Sequence, residues 1–179
     1  MKKYIIVIAL LMVVLTGCAL SEVTPTDAVR SYLDRYKNNE TVVVNELNEY
    51  LSTEDMNDDV RDNYRKVYLR QYSNMKYEIK DETINGDKAV VTVQVTVFDY
   101  FKANNDSDAY YAANESEFIL ENGDIDVSKF IAYKINKLSE TTDTVTYTMD
   151  INLVKVDGDW EVQPLSMDDL NKLHGVYEY

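Results

Sequence analysis

The sequence predicts an α+β domain: N-terminal helices packed on a curved, mostly antiparallel sheet of about four strands, with a helical insertion between the two long strands. Three observations predict it. Apolar residues recur at helical spacing through the first half of the chain. Two long runs, Lys88 to Phe101 and Asp143 to Val156, alternate with period two. Between them, residues 102–142 are too many for a hairpin loop and contain a helical stripe of their own.

The elements follow in order. Thr24 is placed to cap a first helix, with Pro25 at N1 and Asp27 at N3 completing a capping box. Ala28, Val29, Tyr32, Leu33 and Tyr36 then share one helical face, and Asn38-Asn39 ends it. Val42 to Leu51 has a triple valine that favours a strand. Val43, Leu47, Tyr50 and Leu51 fall at helical spacing, and a helix is expected. Asp58 to Tyr72 is a third helix along Val60, Tyr64, Val67, Tyr68 and Gln71. Met75 to Ile84 alternates, with Tyr77 and Ile79 on one face, and Asn85-Gly86 is a tight-turn signal. In the next strand Val91, Val93, Val95 and Val97 point one way, and Thr92, Gln94 and Thr96 the other. Within 102–142, Asn104 to Asp108 reads as a polar loop and Ala109 to Leu120 as a helix. Val127, Phe130, Ile131, Lys134, Ile135 and Leu138 outline an amphipathic helix. The second long strand puts Val145, Tyr147, Met149, Ile151 and Leu153 on the core face. Asp157-Gly158 turns it into Trp160 to Leu165. Ser166 caps a short helix, Met167 to Leu173, which Gly175 can end.

The N-terminus reads as an address. Met1-Lys2-Lys3 is a short basic region, and Tyr4 to Leu15 is an apolar run of 12 residues. As a helix it would reach about 18 Å, short of a hydrocarbon core of about 30 Å, so an export signal fits better than a membrane span. The run closes on Leu15-Thr16-Gly17-Cys18, which resembles the bacterial lipobox. That resemblance implies lipidation of Cys18 and cleavage after Gly17. The expected layout is a signal over 1–17, a lipidated tether over 18–24 and one domain over 25–179. The protein would then sit on the outer face of the cytoplasmic membrane. Few Arg and many Lys, Asn and Tyr point to a Gram-positive source.

Composition removes several classes. The 18 basic and 32 acidic residues give a net charge of −14, which becomes −16 once Lys2 and Lys3 leave with the signal. An acidic surface does not suit phosphate backbones, so no nucleic-acid partner is expected. One His and one Cys leave no disulfide framework and no Cys/His zinc site, so no metal and no cofactor is expected. The acidic groups around Asp58 and Asp106 lack the spacing of a calcium loop.

Two passages carry a resemblance for most of the chain. They are Pro25-Thr26-Asp27-Ala28-Val29-Arg30-Ser31-Tyr32-Leu33 and Leu153-Val154-Lys155-Val156-Asp157-Gly158-Asp159-Trp160-Glu161-Val162. Helices leading into an antiparallel sheet that ends in this way resemble the nuclear-transport-factor-2-like, or cystatin-like, cone found in small lipoproteins. The resemblance implies a conical pocket between helices and sheet, with the insertion over its mouth or over the open sheet face. It also implies two kinds of function, because enzymes and binding modules share this architecture. Enzymes of the ketosteroid-isomerase type use a pocket carboxylate with a tyrosine. Strand parity nominates Asp99 here, with Tyr77, Tyr147 and Trp160 able to approach the same interior. No matched catalytic motif accompanies them. The expected function is a non-enzymatic domain that binds a small ligand, a glycan or a protein. The pocket enzyme is the alternative, and an accessory protein acting through 102–142 is a third reading. The fifteen tyrosines offer flat apolar faces with a polar edge, suited either to ligands or to a core. His174 reads as a helix-end residue favoured by the helix dipole.

Overall fold

Thr24 starts the fold as the sequence suggests. In the computed structural model, which describes residues 23–179, its hydroxyl accepts from Asp27 N and the Asp27 carboxylate accepts from Thr24 N, both at 3.1 Å. Cys18 and the signal lie outside the described residues. Behind this cap runs α1 (Pro25–Lys37), burying Val29, Leu33 and Tyr36 along one stripe. The triple-valine segment is helical as α2 (Thr41–Ser52), because Val43, Leu47 and Leu51 then bury together. Asn57 caps α3 (Asp58–Asn74), whose last turns carry the fully buried Gln71 and Tyr72.

The sheet is antiparallel with order β1-β2-β3-β4, over Lys76–Asn85, Lys88–Phe98, Thr144–Val156 and Asp159–Val162. Register aligns Val91, Val93 and Val95 with Ile151, Met149 and Tyr147. These residues form the core with the helices, while Thr146, Thr148, Asp150 and Asn152 remain exposed on the far face. A bulge between Ile79 and Asp81 changes the parity of β1, pairing Glu82 with Val91. Glu82 then accepts from Thr26 N at 2.9 Å, satisfying one orphan donor in the first turn of α1.

The structure differs from expectation where β2 ends. The strand stops at Phe98, and Asp99 starts α4 (Tyr100–Ala113) by accepting from Lys102 N at 2.9 Å. The segment expected as a polar loop, residues 104–108, is therefore helical. Its polar residues face solvent while Ala103 and Ser107, four apart, bury. The helix expected over 109–120 is divided: α4 ends at Ala113 and a 3-10 turn spans Glu115–Phe118. Helix α5 (Val127–Glu140) lies where the amphipathic stripe predicted it. The insertion docks through Tyr100, Ala103 and Leu138 onto Val67 of α3, and the outer sheet face stays open. Beyond this contact, its tip has a small aromatic core in which Phe118 meets Phe130 edge-on at 5.7 Å and Tyr110 stacks on Tyr133 at 4.8 Å.

After β4, Ser166 caps α6 (Met167–His174), and Gly175 follows at φ +74°. A Cβ at Gly175 would collide with the Phe98 carbonyl and the Gln71 amide, so the turn requires glycine. Gln71 joins three parts of the chain. Its amide donates to Phe98 O and His174 O, both at 2.9 Å, and its oxygen accepts from Phe98 N at 2.8 Å.

Candidate functional site

Four helices, α1, α2, α3 and α6, and the β4–α6 connection enclose a half-open cavity of about 370 Å³, within the range of small-ligand sites. Helix spacing builds its walls. Tyr32 and Tyr36 project from one face of α1, and Val43, Glu46, Leu47 and Tyr50 from one face of α2. Tyr72 closes the α3 side, and Val162, Leu165, Leu170 and His174 the other. The rings pack against one another. Tyr32 and Tyr36 have centroids 5.5 Å apart, and Tyr36 meets Tyr72 edge-on at 5.2 Å.

His174 ends α6 as expected, but it is 4 % exposed, and this burial opposes the positive charge that the helix dipole would favour there. It sits among Tyr50, Tyr68 and Tyr72, and its Nε2 is 2.8 Å from the Tyr72 hydroxyl. Its Nδ1 has no hydrogen-bond partner among the described residues. Burial lowers the imidazole pKa to about 4, so the ring is neutral at pH 7. Burial likewise raises the Tyr32, Tyr36 and Tyr72 hydroxyls, with the Glu46 charge adding to the rise in each. The cavity is thus tyrosine-lined, with no cation on its walls and one carboxylate, Glu46.

Tyr50 is also part of the wall of a second cavity, about 240 Å³, between α2, α3 and the insertion. A groove of about 480 Å³ runs between α1 and β4, past Arg35 and Trp160.

None of the residues nominated from sequence lines the tyrosine cavity. Asp99 is buried, at 5 % exposure, but lies past the end of the strand, which stops at Phe98. It caps α4, accepts from the Tyr179 hydroxyl at 2.6 Å and lines a polar cleft. Beside it Lys102 bridges Asp106 and Asp143. Tyr147 donates to Tyr177 O at 2.9 Å, and burial, reinforced by the Asp99 charge, pushes its hydroxyl up to about 12. Asp99 and Tyr147 are thus linked through Tyr179, whose ring packs against Tyr147. Tyr77 is elsewhere, donating to Asp34 at 2.8 Å, and Trp160 lines the α1–β4 groove under Lys155. The sequence reading nominated none of the cavity residues as a site, among them Glu46, Tyr50, Tyr72 and His174. The i, i+4 spacing of Glu46 and Tyr50 was a readable sign of a shared face; the approach of His174 to Tyr72 was not.

Among the described residues, no cluster of His, Cys, Asp and Glu could hold a metal, and no helix is long and apolar enough to cross a membrane.

No family model matches this chain, and neither does any curated protein. Among solved structures it is similar to the crystal structure of a "putative lipoprotein", ycdA, from Bacillus subtilis subsp. subtilis str. 168. The TM-score is 0.51 at 14 % identity, over 88 % of this chain and 57 % of the other. The likeness is one of fold, and this chain spans little more than half the length of that protein.

Proposed function

We propose that this chain is a lipid-anchored extracytoplasmic domain that binds a small ligand in the tyrosine cavity of a nuclear-transport-factor-2-like cone. The observation that carries the reading is the cavity itself. About 370 Å³ stays unfilled where helices and sheet end meet, although its walls are mostly apolar and aromatic. Tyrosine hydroxyls and Glu46 supply the few polar groups that orient a ligand. The anchor rests on the lipobox at Cys18 and is supported by the name of the structural neighbour. On this reading the protein is held at the outer face of the cytoplasmic membrane by two acyl chains.

Two measurements test it. Cys18→Ala should release the protein from the membrane fraction or leave an unprocessed precursor; unchanged retention and mass would defeat the anchor. Small-fragment binding followed by NMR should give hits that Leu170→Trp, which fills the cavity, abolishes. Hits insensitive to that substitution would move the binding surface elsewhere.

A further inference from the structure

We infer that the tyrosine cavity selects an organic ammonium ion: a quaternary or alkylated amine carried on a small apolar body. The inference rests on the binding reading above and adds the sign of the ligand's charge.

The walls decide that sign. Glu46 carries the one formal charge lining the cavity among the described residues, and it makes no hydrogen bond or ion pair there. No Lys or Arg lines the space; Arg35 belongs to the neighbouring groove beside Trp160. An anionic ligand would therefore meet a carboxylate on the wall, while the Arg35 charge reaches the space only by way of the Tyr32 hydroxyl, from outside the lining. A neutral apolar ligand would cover the rim of an ionised carboxylate while giving it nothing in exchange.

A cation is matched by every polar feature present. Tyr32, Tyr36, Tyr50 and Tyr72 offer it electron-rich ring faces or hydroxyl oxygens, and aromatic cages of this kind hold alkylated ammonium groups. Such an ion is weakly hydrated and large, so it can enter a mostly apolar space that excludes a hydrated inorganic cation. The volume leaves room for an apolar body along Val43, Leu47 and Leu170. The acidic net charge, −14, adds a long-range field that concentrates cations at the surface.

The test uses purified full-length protein and three probes of one shape. They are choline, its neutral carbon isostere 3,3-dimethylbutan-1-ol, and the anion 3,3-dimethylbutanoate. Each is titrated while the NMR signals of the cavity tyrosines are followed. Choline should bind about tenfold or more tightly than the neutral isostere, and the anion more weakly still. Glu46→Gln should remove most of the preference for choline and leave the isostere unchanged. Because Glu46 is exposed and unpaired, this variant keeps the fold, and its unfolding midpoint checks that. Equal or tighter binding of the isostere or the anion overturns the inference and leaves the binding cavity standing. If none of the three perturbs the cavity tyrosines, the inference falls, and the fragment screen with Leu170→Trp decides the binding cavity by itself. Displacement of choline by phosphatidylcholine vesicles would assign the ammonium to a lipid headgroup; its absence would assign it to a free amine.

Discussion

A histidine packed among three tyrosine rings cannot hold a charge and its burial together. His174 keeps the burial, and its pKa falls to about 4 from an ordinary 6.5. The consequence for stability has a definite sign. Between pH 6.5 and 4 the unfolded chain takes up a proton that the folded chain refuses. Stability from this group is therefore complete above pH 6.5, declines as the pH falls, and is lost by about pH 4. The displacement corresponds to about 3 kcal/mol. Carboxylates titrate at the lower end of the same window, so a variant must isolate the imidazole. Urea unfolding from pH 7 to 4 should show a shallower loss for His174→Gln than for the parent. Parallel curves would mean that His174 titrates normally in the fold.

At the scale of elements, the junction of β2 and α4 turns on Asp99. Its carboxylate caps the helix and receives the Tyr179 hydroxyl. Asp99→Ala should cost about 1–2 kcal/mol, the usual loss of an N-cap, and Asp99→Asn markedly less because an amide oxygen can still accept from Lys102 N. Chemical denaturation of both variants measures the difference; equal losses would assign the effect to the Tyr179 bond instead. The same junction shows what the sequence could and could not reveal. The alternation from Val91 to Val97 is a two-residue period over four valines, and it placed β2 and its buried face correctly. Asp99-Tyr100-Phe101 continues that period by chance, so parity carried the strand three residues too far. The competing sign was local: an Asp three residues before an N–H that needs an acceptor. Residues 104–108 looked like a loop because a solvent-facing helix is written in polar letters, and only Ala103 and Ser107 betray its buried side. The cavity was less legible. Tyr32 and Tyr36 read as core stripe, but no local pattern says that rings from α1, α2 and α3 leave space between them.

For the whole molecule, the core is divided. Most of the buried residues form one cluster between the sheet and the helices; Val67, Tyr100, Ala103 and Leu138 form a smaller one under the insertion. Phe118, 2 % exposed, belongs to the aromatic tip beyond both. Phe118→Ala should cost about 3 kcal/mol locally, opening α5 and the end of α4 while β2 and β3 keep their protection. Hydrogen exchange resolved by peptide measures this, and an equal drop in the β2 amides would show that tip and cone unfold as one unit. The bonds made by Gln71 and Tyr72 bear on the order in which the molecule assembles. They join α3 to His174 across 103 and 102 residues of chain. Contacts of such separation close late, because loop entropy must be overcome before they return anything. The wall of the cavity is thus completed only when distant parts of the chain have met. A chain with helices and sheet formed, but with α6 still undocked, has no cavity to fill, so the capacity to bind reports the completed fold.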